Sequence, residues 1–299
     1  MKRDFLTLRD ISPEEMDAIL KRAAALKSGS DRSACPLIGK SVGLVFEKSS
    51  TRTRISFETG IYQLGGQAVF INASESQMGR GETIADTAAI MSRYLHAVVI
   101  RTYAHARVAE FASHATVPVI NGLSDTHHPC QALGDMLTII EQKGKLKGVK
   151  LAYIGDGNNV AHSLIEAACM GGMSITLACP EGYEPDPGII KRAQGEGDVK
   201  LVRDPKEAAS GADVLYTDVW VSMGMEAESS KRKNVFVPYQ INSALVALAA
   251  KDAVVMHCLP AHRGEEITDE VMDGPRSVVF DQAENRLHSQ KALLEFLVK

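Results

Sequence analysis

Short apolar runs rich in β-branched residues alternate with helix-period stretches along this chain, and the alternation begins a second time at Lys150. In the first half the runs are Val42 to Phe46, Ala68 to Ile71, Ala97 to Ile100 and Val117 to Ile120, with helical patterns at Ile55 to Leu64, closed by Gly65-Gly66, and at Ile84 to Tyr94. In the second half they are Leu151 to Ile154, Ser174 to Ala178, Val199 to Val202, Val214 to Thr217, Val254 to Cys258 and Val278 to Phe280. Strands that are apolar throughout, rather than at alternate positions, belong to parallel sheets covered on both faces, and the helices between them supply the crossovers. The pattern predicts an α/β chain of two doubly wound parallel-sheet domains joined by helices. The helical stretch from His128 to Gln142 is the natural connector, and 299 residues suit two domains of about 150 each. Ahead of the first strand, Ser12-Pro13-Glu14-Glu15 reads as a helix start, with serine as cap, proline at the first helical position and Glu15 completing a capping box. The apolar stripe that follows is Met16, Ile19, Leu20, Ala23 and Leu26.

Composition narrows the partners. A net charge of -4 with no basic tract offers no general attraction for nucleic acid or for an anionic membrane, so a small-molecule partner is expected. No apolar run approaches the ~18 residues that a bilayer span needs, and Met1 to Asp10 alternates charged and apolar residues, which suggests a cytoplasmic protein. The five cysteines, Cys35, Cys130, Cys169, Cys179 and Cys258, are odd in number and lack C-x-x-C spacing, so neither a disulfide framework nor a zinc ribbon is indicated.

Open parallel sheets bind ligands beyond the carboxyl ends of their strands, and the chemistry-bearing residues gather there. Ser49-Ser50-Thr51-Arg52-Thr53-Arg54 lies between a strand and a helix, so hydroxyls, two guanidinium groups and unpaired backbone N–H groups would converge at a helix N-terminus suited to phosphate. The bland alternative is a polar cap with solvated arginines. The segment lacks the glycines and lysine of a Walker loop, so a nucleoside triphosphate is not implied. His127-His128-Pro129-Cys130-Gln131 opens the connector helix, where an imidazole and an amide can polarise a carbonyl and accept from an NH₂; a metal fragment or core packing remains the other reading.

Gly155-Asp156-Gly157-Asn158-Asn159 follows the first strand of the second half. Val160 stands where a dinucleotide fingerprint needs its third glycine, so an asparagine that meets a carboxylate is one reading and a plain glycine turn the other. Asp218, followed by Ser222-Met223-Gly224, and His257-Cys258-Leu259-Pro260 complete the strand ends; an aspartate there can pair with an ammonium, and Cys258 can be packing, nucleophile or ligand contact. Trp220 to Val237 shows neither period and reads as a functional loop. Arg286, at the head of the last helix, is a second anion contact or a solvated side chain.

Taken in order, the SSTRTR segment, the Arg101-Thr102-Tyr103 strand end, HHPCQ, GDGNN, the aspartate-then-SMG loop and HCLP resemble the ornithine carbamoyltransferase family, over nearly the whole chain from about Ser49 to Arg286. The resemblance implies a carbamoyl-phosphate-binding domain over 1–133, to which a C-terminal helix of about 284–299 returns, and an ornithine-binding domain over 134–283. It implies that Ser50, Thr51, Arg52, Thr53 and Arg101 hold phosphate, with Arg286 a further anion contact. Arg101, His128 and Thr53 would stabilise the carbonyl oxygen, within the segment that includes Pro129 and Cys130. Gln131 and the Leu259 carbonyl would receive the carbamoyl NH₂, with Cys258 alongside. Asn159 would meet the carboxylate of ornithine, Asp218, Ser222 and Met223 its α-ammonium, and Asp218 with Cys258 its δ-amine. Gln77 would reach the phosphate site of a neighbouring subunit in a homotrimer. Neither metal nor cofactor is called for. Ser49 stands where the family pattern has proline.

Four rivals are distinguishable. An aspartate transcarbamoylase would, by the same resemblance, carry lysine where Gln77 stands and present cations to a second carboxylate, and an enzyme of acetylated ornithine would meet no free α-ammonium. A dinucleotide oxidoreductase is opposed by the broken glycine fingerprint. A simple binding module has no use for both an anion cradle and an amino-acid site.

Overall fold

The computed structural model describes residues 2–30, 35–48, 50–72, 81–221 and 226–298, and the chain divides into two compact units, Met1–Leu137 with Glu284–Lys299, and Thr138–Ala283. In the first unit α1 (Pro13–Ser28) precedes β1 (Ser41–Phe46), α2 (Thr51–Gln63), β2 (Gln67–Asn72), α3 (Ile84–Tyr94), β3 (Ala97–Arg101), α4 (His105–His114) and β4 (Val119–Leu123). Helix α5 (Pro129–Lys143) carries the chain into the second unit. There follow β5 (Lys150–Ile154), α6 (Asn159–Gly171), β6 (Ser174–Ala178), α7 (Pro187–Gln194), β7 (Val199–Val202), α8 (Pro205–Ala209) and β8 (Val214–Thr217). The remainder is α9 (Ser229–Phe236), α10 (Ser243–Val246), β9 (Val254–His257), α11 (Asp269–Met272) and α12 (Val279–Leu297), whose later part belongs to the first unit.

Both sheets are parallel, in the orders β2-β1-β3-β4 and β7-β6-β5-β8-β9. In each, the chain starts on an inner strand, winds to one edge, then returns to wind the other way. Winding both ways from an inner strand puts helices on both faces of a parallel sheet, in keeping with β1, β3 and β8 being buried almost end to end. The winding reverses between β1 and β3 in one unit and between β5 and β8 in the other. Those reversal points are where an open α/β sheet leaves a crevice at its carboxyl edge.

The start of α1 is as its sequence predicts. Ser12 Oγ accepts from Glu15 N, Glu15 reaches back to Ser12 N, and all five stripe residues are buried. The fourth strand of the first unit lies slightly later than expected, at Val119–Leu123.

Three expectations are overturned. Val278 to Phe280 is not a strand, because α12 begins at Val279. Only the backbone just before it pairs with β9, Val255 N donating to Arg276 O at 2.8 Å and Val278 N to Val255 O at 3.0 Å. The next helical steps bury Val279 and turn Phe280 into solvent, 67% exposed. Arg286 therefore sits about two turns inside the helix rather than at its head. The Trp220 to Val237 segment likewise contains a helix, α9, beyond residues 222–225, which lie outside the described residues. Its sequence is polar nearly all round, and only Arg232 and Phe236, four apart, turn inward, too narrow a stripe for periodicity to reveal.

Candidate active site

In the first unit the strand end of β1 hands over to the N-terminus of α2. Ser50 caps it, its Oγ accepting from Thr53 N at 3.2 Å, so the first-turn N–H groups emerge beside Thr51, Arg52 and Thr53. Thr53 is fully buried, and its hydroxyl oxygen accepts from two guanidinium groups, Arg101 Nη1 at 3.3 Å from the end of β3 and Arg286 Nη2 at 2.7 Å from α12. The close approach of α12 depends on Gly134 of α5. A Cβ there would lie 3.1 Å from Arg286 Cγ and 3.3 Å from its backbone N.

His128 is buried at the start of α5. Burial, then the positive charges of Arg286, Arg101 and Arg52, hold its imidazole well below the usual histidine range, so the ring is neutral at physiological pH. A neutral imidazole, three guanidinium groups and a helix N-terminus make a region that favours a multiply charged anion and can donate to a carbonyl oxygen. Gln131, one turn on, donates from Nε2 to Asp135 Oδ1 at 2.9 Å, and its buried Oε1 meets no hydrogen-bond partner among the described residues.

Other predicted members are placed differently. Arg54 is turned away, pairing with Glu58 at 2.9 Å and lying over the Phe70 ring, because residues 52 and 54 point to nearly opposite sides of a helix. Pro129 is the first residue of α5. Cys130 donates its thiol to Asn121 O at 3.4 Å, and burial pushes it up to about 12, so it serves as a packed thiol.

In the second unit the loops after β5, β8 and β9 meet around Asp218. Its Oδ1 accepts from Val219 N at 2.8 Å and from Cys258 Sγ at 2.9 Å, and its Oδ2 from Asn158 Nδ2 at 2.7 Å. A carboxylate has about four lone-pair sites, so acceptor capacity remains for an ammonium. Asn158 is doubly fixed, since its Oδ1 caps α6 through Val160 N and Ala161 N and also accepts from Tyr153 Oη. Asn159 opens α6 beside it, half-buried.

The glycines of this turn serve backbone approach, for a Cβ on Gly157 would lie 2.1 Å from Pro185 N. Cys258 and Leu259 follow β9, and Leu259 takes φ 58. Leu259 N donates to His257 Nδ1 at 2.8 Å, which leaves Nε2 as the protonated nitrogen facing buried Glu266 at 3.0 Å. Both ring nitrogens of His257 are thus engaged, which removes it as a metal ligand alongside Cys258.

The fold therefore gathers Ser50, Thr51, Arg52, Thr53, Arg101, His128, Gln131 and Arg286 in one unit, and Asn159, Asp218, Cys258 and Leu259 in the other. Gln77, Ser222 and Met223 lie outside the described residues. Sequence reasoning missed Asn158, Asp135 and Glu266, which hold Asp218, Gln131 and His257. Local signals existed for two of them, Asn158 as an asparagine directly before an apolar helical run and hence an N-cap, and Asp135 as the residue four places after Gln131 on the same helix face; Glu266 reveals itself only through tertiary proximity.

Residues 3–141 match the family described as "Aspartate/ornithine carbamoyltransferase, carbamoyl-P binding domain", and residues 147–297 match "Aspartate/ornithine carbamoyltransferase, Asp/Orn binding domain". The chain is 58% identical to the ornithine carbamoyltransferase of Syntrophus aciditrophicus over all of both chains. It is 54% identical to "Ornithine carbamoyltransferase, anabolic" of Pseudomonas aeruginosa, over 99% of this chain and 97% of that one. The solved ornithine carbamoyltransferase of Pyrococcus furiosus matches with a TM-score of 0.95 at 52% identity, over 99% of this chain and 97% of its own.

Proposed function

This chain belongs to the aspartate/ornithine carbamoyltransferase family, and on that premise we propose that it transfers the carbamoyl group of carbamoyl phosphate to the δ-amine of L-ornithine, giving L-citrulline and phosphate. The observation that carries the choice of acceptor is Asp218, a buried carboxylate held by three donors with capacity left for an ammonium. An acceptor with a second carboxylate would be repelled there.

In this reading Ser50, Thr51, Arg52, Thr53, Arg101 and Arg286 hold the phosphate. Arg101, neutral His128 and the Thr53 hydroxyl stabilise negative charge on the carbonyl oxygen as the amine attacks. Gln131 and the Leu259 carbonyl orient the carbamoyl NH₂, and Cys258 lies alongside. Asn159 takes the carboxylate of ornithine and Asp218, with Ser222 and Met223, its α-ammonium, while Asp218 and Cys258 align the δ-nitrogen. The neutral δ-amine forms the new C–N bond, the C–O bond to phosphate breaks, and the departing phosphate accepts the proton released by nitrogen. No metal or covalent thioester is needed. The Cys258 thiol already donates to Asp218 at 2.9 Å, an arrangement suited to positioning.

The proposal includes a homotrimer in which Gln77 of one chain completes the phosphate site of the next, and a cytoplasmic enzyme that works without cofactor, nucleic acid or membrane. No helix among the described residues is long and apolar enough to cross a membrane. The deciding assay compares product from carbamoyl phosphate with L-ornithine, N-acetyl-L-ornithine and L-aspartate. Citrulline is expected to dominate; carbamoyl-aspartate or acetylcitrulline as the main product would overturn the assignment.

A further inference from the structure

The geometry points to Asp135 as the positioning residue that makes the site selective for a carbamoyl over an acyl phosphate, an inference that rests on the carbamoyl phosphate reading above. A glutamine amide has a donating and an accepting end, and its terminal torsion allows either to face a ligand. Gln131 and Asp135 are four residues apart on α5, on the same helix face, and both are essentially fully buried. Gln131 Nε2 donates to Asp135 Oδ1 at 2.9 Å. A carboxylate only accepts, so turning the amide over would press Gln131 Oε1 against a buried anionic oxygen. Asp135 thereby holds the donor end to itself and leaves the acceptor end facing away.

That acceptor, Gln131 Oε1, is buried and meets no hydrogen-bond partner among the described residues. Such an atom calls for an N–H or O–H donor from outside the chain. Gln131 lies one helical turn from His128, where the cationic cluster would hold the phosphate. On carbamoyl phosphate the NH₂ is the sole uncharged donor, and on acetyl phosphate a methyl group of similar size replaces it. A methyl there leaves the oxygen desolvated and unpaired, so discrimination follows from the orientation that Asp135 imposes.

Two non-hydrolysable ligands isolate this effect, phosphonoacetamide, which carries the NH₂, and acetonylphosphonate, which carries CH₃ in its place. Calorimetric titration of the full-length enzyme should show roughly tenfold tighter binding of phosphonoacetamide. In Asp135→Asn the asparagine can accept from or donate to Gln131, both amide orientations become possible, and the preference should fall to about twofold or less. General loosening of the phosphate site weakens both ligands alike and cancels in the ratio. The double variant Gln131→Glu with Asp135→Asn restores a donor at 135 and an acceptor facing the ligand, and should recover a several-fold preference. An undiminished preference in Asp135→Asn, or no recovery in the double variant, would overturn the role of Asp135. Wild-type enzyme that binds both ligands equally would overturn it together with the reading of Gln131, and wild-type enzyme that binds neither would overturn the carbamoyl phosphate reading itself.

Discussion

Removing the Arg52 guanidinium takes away one of the three cations whose field reaches His128. Losing one partner of a desolvated charge pair costs roughly 2–5 kcal/mol, so Arg52→Ala should lower kcat/KM for carbamoyl phosphate by about 30-fold to several-thousand-fold. Arg52 is only partly buried, so the urea midpoint should stay nearly constant. Steady-state kinetics with unchanged carbamoyl phosphate affinity would take this segment out of the site. The pH dependence separates the two substrates. His128 is held well below the usual histidine range and protonates only at pH values well under 6.5, so kcat/KM for carbamoyl phosphate should show no histidine-like fall near that pH. The δ-ammonium of ornithine resembles a lysine with pKa near 10.4, so kcat/KM for ornithine should rise close to tenfold per unit from about pH 7 to 9. A flat ornithine profile would rule out amine deprotonation as the controlling equilibrium. Asn158→Ser keeps a good N-cap but loses the Nδ2 donor to Asp218. It should raise the ornithine KM roughly 10- to 150-fold, since a hydrogen bond to a charged group is usually worth about 1.5–3 kcal/mol, and leave phosphate affinity alone.

Among the elements, α9 is held by Phe236, buried against Tyr183, Trp220 and Tyr239, and by one buried ion pair. Arg232 Nη1 lies 2.9 Å from Asp156 Oδ2 and donates to Trp220 O at 3.0 Å, while its guanidinium stacks over the Tyr183 ring. Burial raises Asp156 from 3.8 to about 6, and Arg232 opposes that rise. A raised carboxyl contributes stability that is complete below its unfolded value and is lost as pH climbs through the folded one, here between about 4 and 6. In Arg232→Met the opposing cation is gone, so Asp156 must stay protonated or remain charged without a partner. The variant should lose roughly 3–5 kcal/mol at pH 8 and distinctly less at pH 5, where the carboxyl is largely protonated in either protein. Denaturant titrations at the two pH values check this, and an equal loss at both would show that the ion pair is not what anchors α9.

For the assembled molecule, the polar stretch Asn72 to Glu82 carries Gln77, and the trimer proposal assigns it to a neighbouring phosphate site. Arg52 and Gln77 would then serve one catalytic centre from two chains. Arg52→Ala and Gln77→Trp should each be inactive, yet subunit exchange between them should restore activity, because some sites inherit neither lesion. Recovery should approach the fraction expected from random assembly into trimers. Persistent inactivity after verified exchange, or an active monomer by light scattering, would sink the shared site and leave carbamoyl transfer standing.

Period, capping and turn chemistry within a few residues were enough to set the parallel α/β class, the capped first helix and the strand ends at which the candidate site residues stand. Order along the chain was enough to place Arg52, His128 and Asp218 at carboxyl edges. Tertiary structure alone decided which side chains meet. Thr53 joins Arg101 with Arg286, the latter across 233 residues of chain, Arg232 turns an unpatterned stretch into an anchored helix, and Val278 to Phe280 becomes a helix start. Each depends on contacts or burial that come from distant elements, and a local window of residues contains no record of them.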